Sequence, residues 1–202
     1  MTTILSDLDG VLVDSHASIM RAWRWWGAAH GVAAEAIESV QQGRPSGEVI
    51  AALAPELDAA AESRAIDLRQ ADDVDGVVAL PSAHELFAGS DPVAIVTSCT
   101  VPLATARLRA VGLAVPPVLV TPERLSRGKP DPEGYLLAAR ELGAAPADCV
   151  VLEDAPAGIR AGRAAGMHVV GITTTHDPAE LDAHELAPSI AAWLTSRNGA
   201  SG

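Results

Sequence analysis

Beyond residue 80 the chain alternates short apolar runs with helical stretches, and this alternation restricts its fold more than any other feature. Four valine-rich runs predict buried strands. They cover residues 92–97, 117–121, 149–152 and 168–172. Helical stretches are predicted between them. These cover residues 102–111, 132–142 and 156–165. Strands joined through helices form right-handed βαβ units, so we expect a parallel sheet with helices on both faces.

The beginning of the chain adds one strand and a large insert. Residues 4–8 form a short apolar run followed by Asp9-Gly10, which predicts a strand that ends in a turn. From Ser15 to about Asp75 the pattern is helical throughout, with breaks that divide it into about four helices. The predicted fold class is therefore α/β, a doubly wound parallel sheet interrupted after its first strand by an all-helical insert.

Composition excludes several kinds of partner. The chain has 202 residues, of which 49% are hydrophobic, and a formal net charge of -12. This composition suits a folded core, and the acidic balance argues against binding to nucleic acid or to an anionic membrane. The sequence contains no leader-like beginning and no apolar stretch long enough for a membrane span, so a cytoplasmic location is expected. The oligomeric state is left open.

Polar residues follow four successive predicted strands at the points where those strands end. They are Asp7 and Asp9 after the first, Thr97 and Ser98 after the second, Lys129 after the third, and Glu153 and Asp154 after the fourth. In sheets of this kind the ligand site lies at the carboxyl ends of the strands. We therefore expect acids, a hydroxyl and the only lysine of the chain to converge on one cleft.

These residue types indicate phosphoryl chemistry. Carboxylates that converge repel one another unless a cation lies between them, and an oxygen-rich site of this kind favours Mg²⁺. A cation, Lys129 and a hydroxyl together would bind a phosphoryl group. Asp7 is suited to attack phosphorus, and Asp9 is suited to give a proton to the leaving alcohol and to take one from water.

At these positions the sequence resembles the haloacid dehalogenase superfamily. Residues 7–15 match its DxDGxxxDS motif, and Thr97 matches the hydroxyl residue that follows an apolar strand. Lys129 lies in a Gly-Lys-Pro triplet, and residues 153–158 match an EDxxxG motif. The resemblance implies a Rossmann-like core over residues 1–14 and 80–202, with a small helical cap over residues 15–79.

The resemblance also implies a role for each site residue. Asp7 is expected to form an aspartyl-phosphate and to bind Mg²⁺, and Asp9 to act as general acid and base while its carbonyl binds the metal. Thr97, Ser98 and Lys129 are expected to hold the phosphoryl oxygens. Asp154 is expected to bind Mg²⁺, and Glu153 to do so directly or indirectly.

The expected activity is hydrolysis of a small phosphorylated metabolite, with a sugar or polyol phosphate as the substrate. The main alternative is a phosphosugar mutase similar to β-phosphoglucomutase. The position that matches the cap histidine of that enzyme is Ile19, and the cap contains no lysine, which favours hydrolysis. A catalytically silent phosphate-binding or signalling protein is the more distant alternative. Arg44, in a break of the helical pattern, is the candidate substrate contact of the cap.

Overall fold

The computed structural model describes residues 2–41 and 45–199. Within these residues six strands form one sheet and two more form a short ribbon. The sheet strands are β1 (Thr3–Ser6), β4 (Val93–Val96), β5 (Leu119–Val120), β6 (Cys149–Glu153), β7 (His168–Ile172) and β8 (Glu185–Ala187), and the ribbon strands are β2 (Val13–Asp14) and β3 (Val78–Ala79). The sheet order is β5-β4-β1-β6-β7-β8, and every neighbouring pair is parallel.

Strand β1 lies at the centre of the sheet because both of its faces are apolar. Leu5 is paired in register with Ala94 on one side and with Val151 on the other. Ile4 belongs to the hydrophobic cluster on one face of the sheet and Leu5 to the cluster on the opposite face. This is the alternation of side chains that a strand imposes. The two polar residues of the strand, Thr3 and Ser6, are buried as well.

Helices cover the sheet and form the insert. Those of the insert are α1 (His16–His30), α2 (Ala34–Gln41), α3 (Ser46–Leu53) and α4 (Ala59–Asp72). The others are α5 (Ala83–Ala88), α6 (Val101–Ala110), α7 (Glu133–Glu141), α8 (Pro156–Ala164) and α9 (Ile190–Gly199). The predicted α/β class and the predicted strand–helix alternation are confirmed. Five short or weakly patterned elements were not predicted, namely β2, β3, α5, β8 and α9. Strand β3 lies within residues 15–79, which were predicted to be all-helical.

The four helices of the insert pack around a hydrophobic cluster of their own. Trp23 and Trp26 lie at its centre with ring centroids 5.5 Å apart in an edge-on arrangement, and Ile37, Ile50 and Ile66 surround them. The antiparallel ribbon of β2 and β3 forms where the chain leaves the sheet and returns to it. The helical nature of the insert is therefore confirmed, and its exact boundaries as a domain stay a prediction.

The strand order also places the ligand crevice. Strands β4 and β5 lie on one side of β1, whereas β6, β7 and β8 lie on the other. The connections therefore diverge at the border between β1 and β6, where a crevice opens at the carboxyl ends of the strands.

Within the described ranges, none of the helices combines the length and the apolar character that a bilayer crossing requires.

Leu5→Ala should lower the free energy of unfolding by about 2–5 kcal/mol, because it removes a fully buried side chain from the central strand. The matched control is Leu68→Ala on α4, whose residue is 59% exposed and should change that free energy by less than about 0.5 kcal/mol. Denaturant unfolding measures both. Equal losses in the two variants would contradict the packing described here.

Candidate active site

The carboxyl ends of β1 and β6 bring three predicted acids together. Asp7 follows β1, Glu153 is the last residue of β6, and Asp154 follows it. One carboxylate oxygen from each of these residues lies within 4.8 Å of the others. The parallel pairing of the two strands explains this arrangement, because it sets Ser6 level with Leu152 and so aligns the strand ends.

Lys129 lies between two of these acids. Its Nζ donates bonds of 2.6 Å to Asp7 Oδ1 and of 2.9 Å to the carbonyl oxygen of Val96. It also forms an ion pair with Glu153, with Nζ 2.5 Å from Oε1. The lysine is therefore fixed in position, and its charge compensates two carboxylates at once.

Glu153 is 1% exposed and fully hydrogen-bonded. Oε1 accepts a 2.8 Å bond from the Tyr135 hydroxyl and is the ion-pair partner of Lys129, and Oε2 accepts bonds from the backbone N–H groups of Asp154 and Ala155. Both carboxylate oxygens are therefore already occupied by polar partners. This saturation suits an acid that orients Lys129 better than one that binds a metal directly.

Two glycines provide the space that the acids occupy. Gly10 has φ +75°, and a Cβ on it would lie 2.1 Å from Asp154 Oδ2. A Cβ on Gly158, in the first turns of α8, would lie 1.7 Å from Glu153 Oε1. Any side chain at either position would collide with a carboxylate, and Gly10 also adopts a backbone conformation that favours glycine.

Asp9 is held by three side chains, two from loops and one from α6. Its Oδ1 accepts a 2.7 Å bond from Ser15, and its Oδ2 accepts a 2.9 Å bond from the Cys99 thiol. Arg107 Nη1 donates a further bond to Oδ2. The predicted acid–base residue is therefore present at the site, with a buried arginine as its ion-pair partner.

The predicted phosphate-binding residues lie at the end of β4. The Thr97 hydroxyl is buried and accepts a 3.1 Å bond from the backbone N–H of Cys99, which fixes it at the end of the strand. Ser98 is exposed next to it, and Thr97, Ser98 and Lys129 line one pocket. Arg44, the predicted substrate contact, lies outside the described residues.

Burial and like charge raise the proton affinity of two acids. Burial is the main reason that the pKa of Asp7 is raised to about 7; Glu153 and Asp9 add to the rise, and Lys129 opposes it. Burial likewise raises the pKa of Asp154 well above its usual range, with further contributions from Glu153 and Asp7. Asp154 Oδ2 also accepts a bond from the Thr175 hydroxyl.

The charge balance of the site fits a divalent cation. When all four acids of the site are ionised, the two cationic side chains beside them leave two negative charges uncompensated. Carboxylate oxygens are the ligands that hard cations such as Mg²⁺ prefer. The fold and this site together define an α/β protein with a parallel sheet and a cluster of acids at its switch point.

Comparisons with known proteins agree with this class. A family model described as a haloacid dehalogenase-like hydrolase matches residues 1–166. Hexitol phosphatase A of Escherichia coli (strain K12) is 43% identical over 192 residues, 90% of this chain and 88% of that protein. Validoxylamine A 7'-phosphate phosphatase of Streptomyces hygroscopicus subsp. limoneus is 38% identical over 187 residues, 86% of each chain. The solved structure of a hydrolase from Pseudomonas syringae has a TM-score of 0.81 and 27% identity, over 98% of this chain and 99% of that one.

The chain therefore belongs to the haloacid dehalogenase-like hydrolase family. The resemblance that the sequence motifs indicated is confirmed, and so is the expectation that the protein is an enzyme of the hydrolase class.

Three contacts of the site were not predicted from the sequence. Tyr135, the only tyrosine of the chain, holds Glu153; Arg107 holds Asp9; and Thr175 holds Asp154. Tyr135 and Arg107 lie inside helices, where the helical pattern predicts only packing or solvent exposure. The rarity of tyrosine in this chain is a signal that could have drawn attention to Tyr135, but no prediction was based on it.

We expect the stability of the metal-free protein to fall as the pH rises from about 4 through about 7. The pKa of Asp7 is raised from 3.8 to about 7, so the folded protein binds more protons than the unfolded chain in this range, and the slope of stability against pH is negative. Mg²⁺ should therefore raise the melting temperature more at pH 8 than at pH 5, since protons compete with the ion.

Asp154→Asn should raise the melting temperature of the metal-free protein at pH 8, because it removes a buried charge, and should abolish the Mg²⁺ increment. Thermal melts with and without MgCl₂ measure both effects. The exposed Asp148→Asn variant is the control and should behave as the wild type does. An undiminished Mg²⁺ increment in Asp154→Asn would exclude this residue as a ligand.

Proposed function

We propose that this protein is a Mg²⁺-dependent phosphatase that hydrolyses a small phosphomonoester through an aspartyl-phosphate on Asp7. The observation that carries the proposal is the placement of Lys129 between Asp7 and Glu153, at 2.6 Å and 2.5 Å. A carboxylate screened in this way can approach a phosphate dianion with less repulsion. Asp9 lies two residues after Asp7 and supplies the second carboxyl group, which transfers protons to the leaving group and from water.

The first chemical step is displacement at phosphorus. A carboxylate oxygen of Asp7 attacks phosphorus and forms a new P–O bond, while the bond from phosphorus to the ester oxygen breaks. Asp9 in its acid form gives a proton to the departing alkoxide, which leaves as the alcohol. Thr97, Ser98 and Lys129 bind the phosphoryl oxygens and stabilise the charge that they carry.

The second step releases phosphate. Asp9, now a carboxylate, takes a proton from water, and the oxygen of that water attacks phosphorus. The bond between phosphorus and Asp7 breaks, so the nucleophile is restored and inorganic phosphate leaves. Because Asp9 returns to its acid form, the residues of the site are ready for another turnover.

Asp7, Asp154 and the backbone carbonyl of Asp9 are the groups that would hold Mg²⁺. The bound ion would supply positive charge for the phosphoryl oxygens and would lower the repulsion among the acids. Glu153 would act indirectly, because its oxygens already accept bonds from Tyr135 and two backbone N–H groups and form an ion pair with Lys129.

A sugar or polyol phosphate is the substrate class that we favour, and a hexitol phosphate is the first compound to test. Support comes from the names of the relatives, a hexitol phosphatase and a validoxylamine A 7'-phosphate phosphatase. The helical insert adjoins the site and would enclose the leaving group, so it would select the substrate. A small-metabolite partner and a cytoplasmic location stay predictions.

Asp7→Asn should reduce phosphate release by at least about 10³-fold, since the amide cannot attack phosphorus as the carboxylate does. The measurement is release of inorganic phosphate from a hexitol phosphate and from p-nitrophenyl phosphate. Asp148→Asn, an exposed acid outside the site, is the control and should retain wild-type turnover. Substantial activity in Asp7→Asn with an intact fold would disprove the nucleophile assignment.

Incubation with glucose 1-phosphate should release phosphate and form no isomerised sugar phosphate. The reason is that the insert has Ile19 at the position of the mutase histidine and contains no lysine. Product analysis by ³¹P NMR separates the two outcomes in one experiment. Accumulation of glucose 6-phosphate would favour the phosphosugar mutase instead.

A further inference from the structure

We propose that Arg107 is a positioning residue for Asp9, and that Gln70 on the insert completes this arrangement, so that the acid–base group is held correctly only when the insert is docked. This inference rests on the phosphatase activity proposed above.

Arg107 is an unusual arginine because it is 2% exposed. It lies on α6, a helix that covers the sheet, and its Nη1 donates to Asp9 Oδ2 and to the Cys99 sulfur. Its Nε has no hydrogen-bond partner among the described residues. Burial of a guanidinium group with one N–H unpaired is costly, so stability alone does not account for this residue.

The second arm of the same guanidinium reaches the insert. Arg107 Nη2 donates to Oε1 of Gln70, a buried residue near the end of α4. The guanidinium group is planar and rigid, so the positions of Nη1 and Nη2 are fixed relative to each other. A shift of α4 that moved the Gln70 amide would therefore be transmitted to the Asp9 carboxylate, without any other change in the sheet.

Asp67 supports this reading of the interface between α4 and α6. It lies one turn before Gln70, and burial raises the pKa of its carboxyl to about 6, with the charge of Arg107 acting in the opposite direction. The face of α4 that adjoins Arg107 thus carries one amide and one acid instead of an apolar contact. An interface built only for packing would not place two polar side chains around a buried cation.

The consequence for catalysis concerns the leaving group. Asp9 must protonate an alkoxide that departs from a polyol phosphate, whereas p-nitrophenolate departs without a proton. Loss of Arg107 lets the Asp9 carboxyl rotate away from the ester oxygen. The resulting loss of rate then depends on whether the leaving group needs a proton. A purely structural arginine would, when lost, slow both substrates alike.

The test compares Arg107→Met with the wild type on two substrates. For a hexitol phosphate we expect kcat to fall by about 10–100-fold, within the range that general acid catalysis contributes. For p-nitrophenyl phosphate the rate constant of the pre-steady-state burst should change by less than about threefold, because that phase reports only transfer to Asp7. Gln70→Leu should produce the same pattern with a smaller loss.

Two controls isolate the interaction. Arg109→Met changes an exposed arginine of the same helix, and Leu68→Ala changes an exposed residue of α4; both should retain wild-type kcat. In an Asp9→Asn background, adding Arg107→Met should cost no more than about twofold, since a residue that acts through Asp9 has nothing left to position.

The outcomes separate the two proposals. Equal losses on both substrates, or an additive loss in the Asp9→Asn background, would overturn the positioning role while the wild-type enzyme remained a phosphatase. If the wild type released no phosphate from any phosphomonoester, the proposed function itself would fail. If Arg107→Met did not fold, Arg107→Lys and Gln70→Leu would carry the same comparison of substrates.

Discussion

The Lys129 ammonium is the interaction on which the rest of the site depends. It is set between Asp7 and Glu153 at the border of β1 and β6, and it also donates to the end of β4. One cation therefore ties three parallel strands together at the edge where the acids converge. Without it, two buried carboxylates would face each other with little compensation, and such a pair is costly in a low-dielectric environment.

Further hydrogen-bond donors surround the acids and hold each of them in position. Tyr135 and two backbone N–H groups complete the bonding of Glu153, Thr175 holds Asp154, and Arg107 holds Asp9. Tyr135, Thr175 and Arg107 lie outside the motifs that supply the acids, whereas the two backbone N–H groups belong to the same motif as Glu153. The site is thus built from short strand ends, but its geometry is maintained by helices and loops far away along the chain.

The sequence allowed prediction of the parts that depend on local pattern. Valine-rich runs marked the buried strands, and the rule for parallel sheets then placed Asp7, Lys129 and Asp154 at one edge, as the structure has them. Strand β8 has only three residues, one of them charged, so no local pattern indicated it. Arg107 was missed for a different reason: an arginine within a helix normally lies in solvent, and only the tertiary contact with Asp9 reveals its burial.

The contact between Gly158 and Glu153 limits how such a site can change over time. The acid fits only because the position five residues later carries no side chain, with 1.7 Å between the carboxylate and where a Cβ would be. Glutamate at 153 therefore depends on glycine at 158, whereas glycine at 158 without the acid gives no collision. Asp154 depends on Gly10 in the same way. The two acids are therefore compatible only with sequences that already carry glycine at these positions.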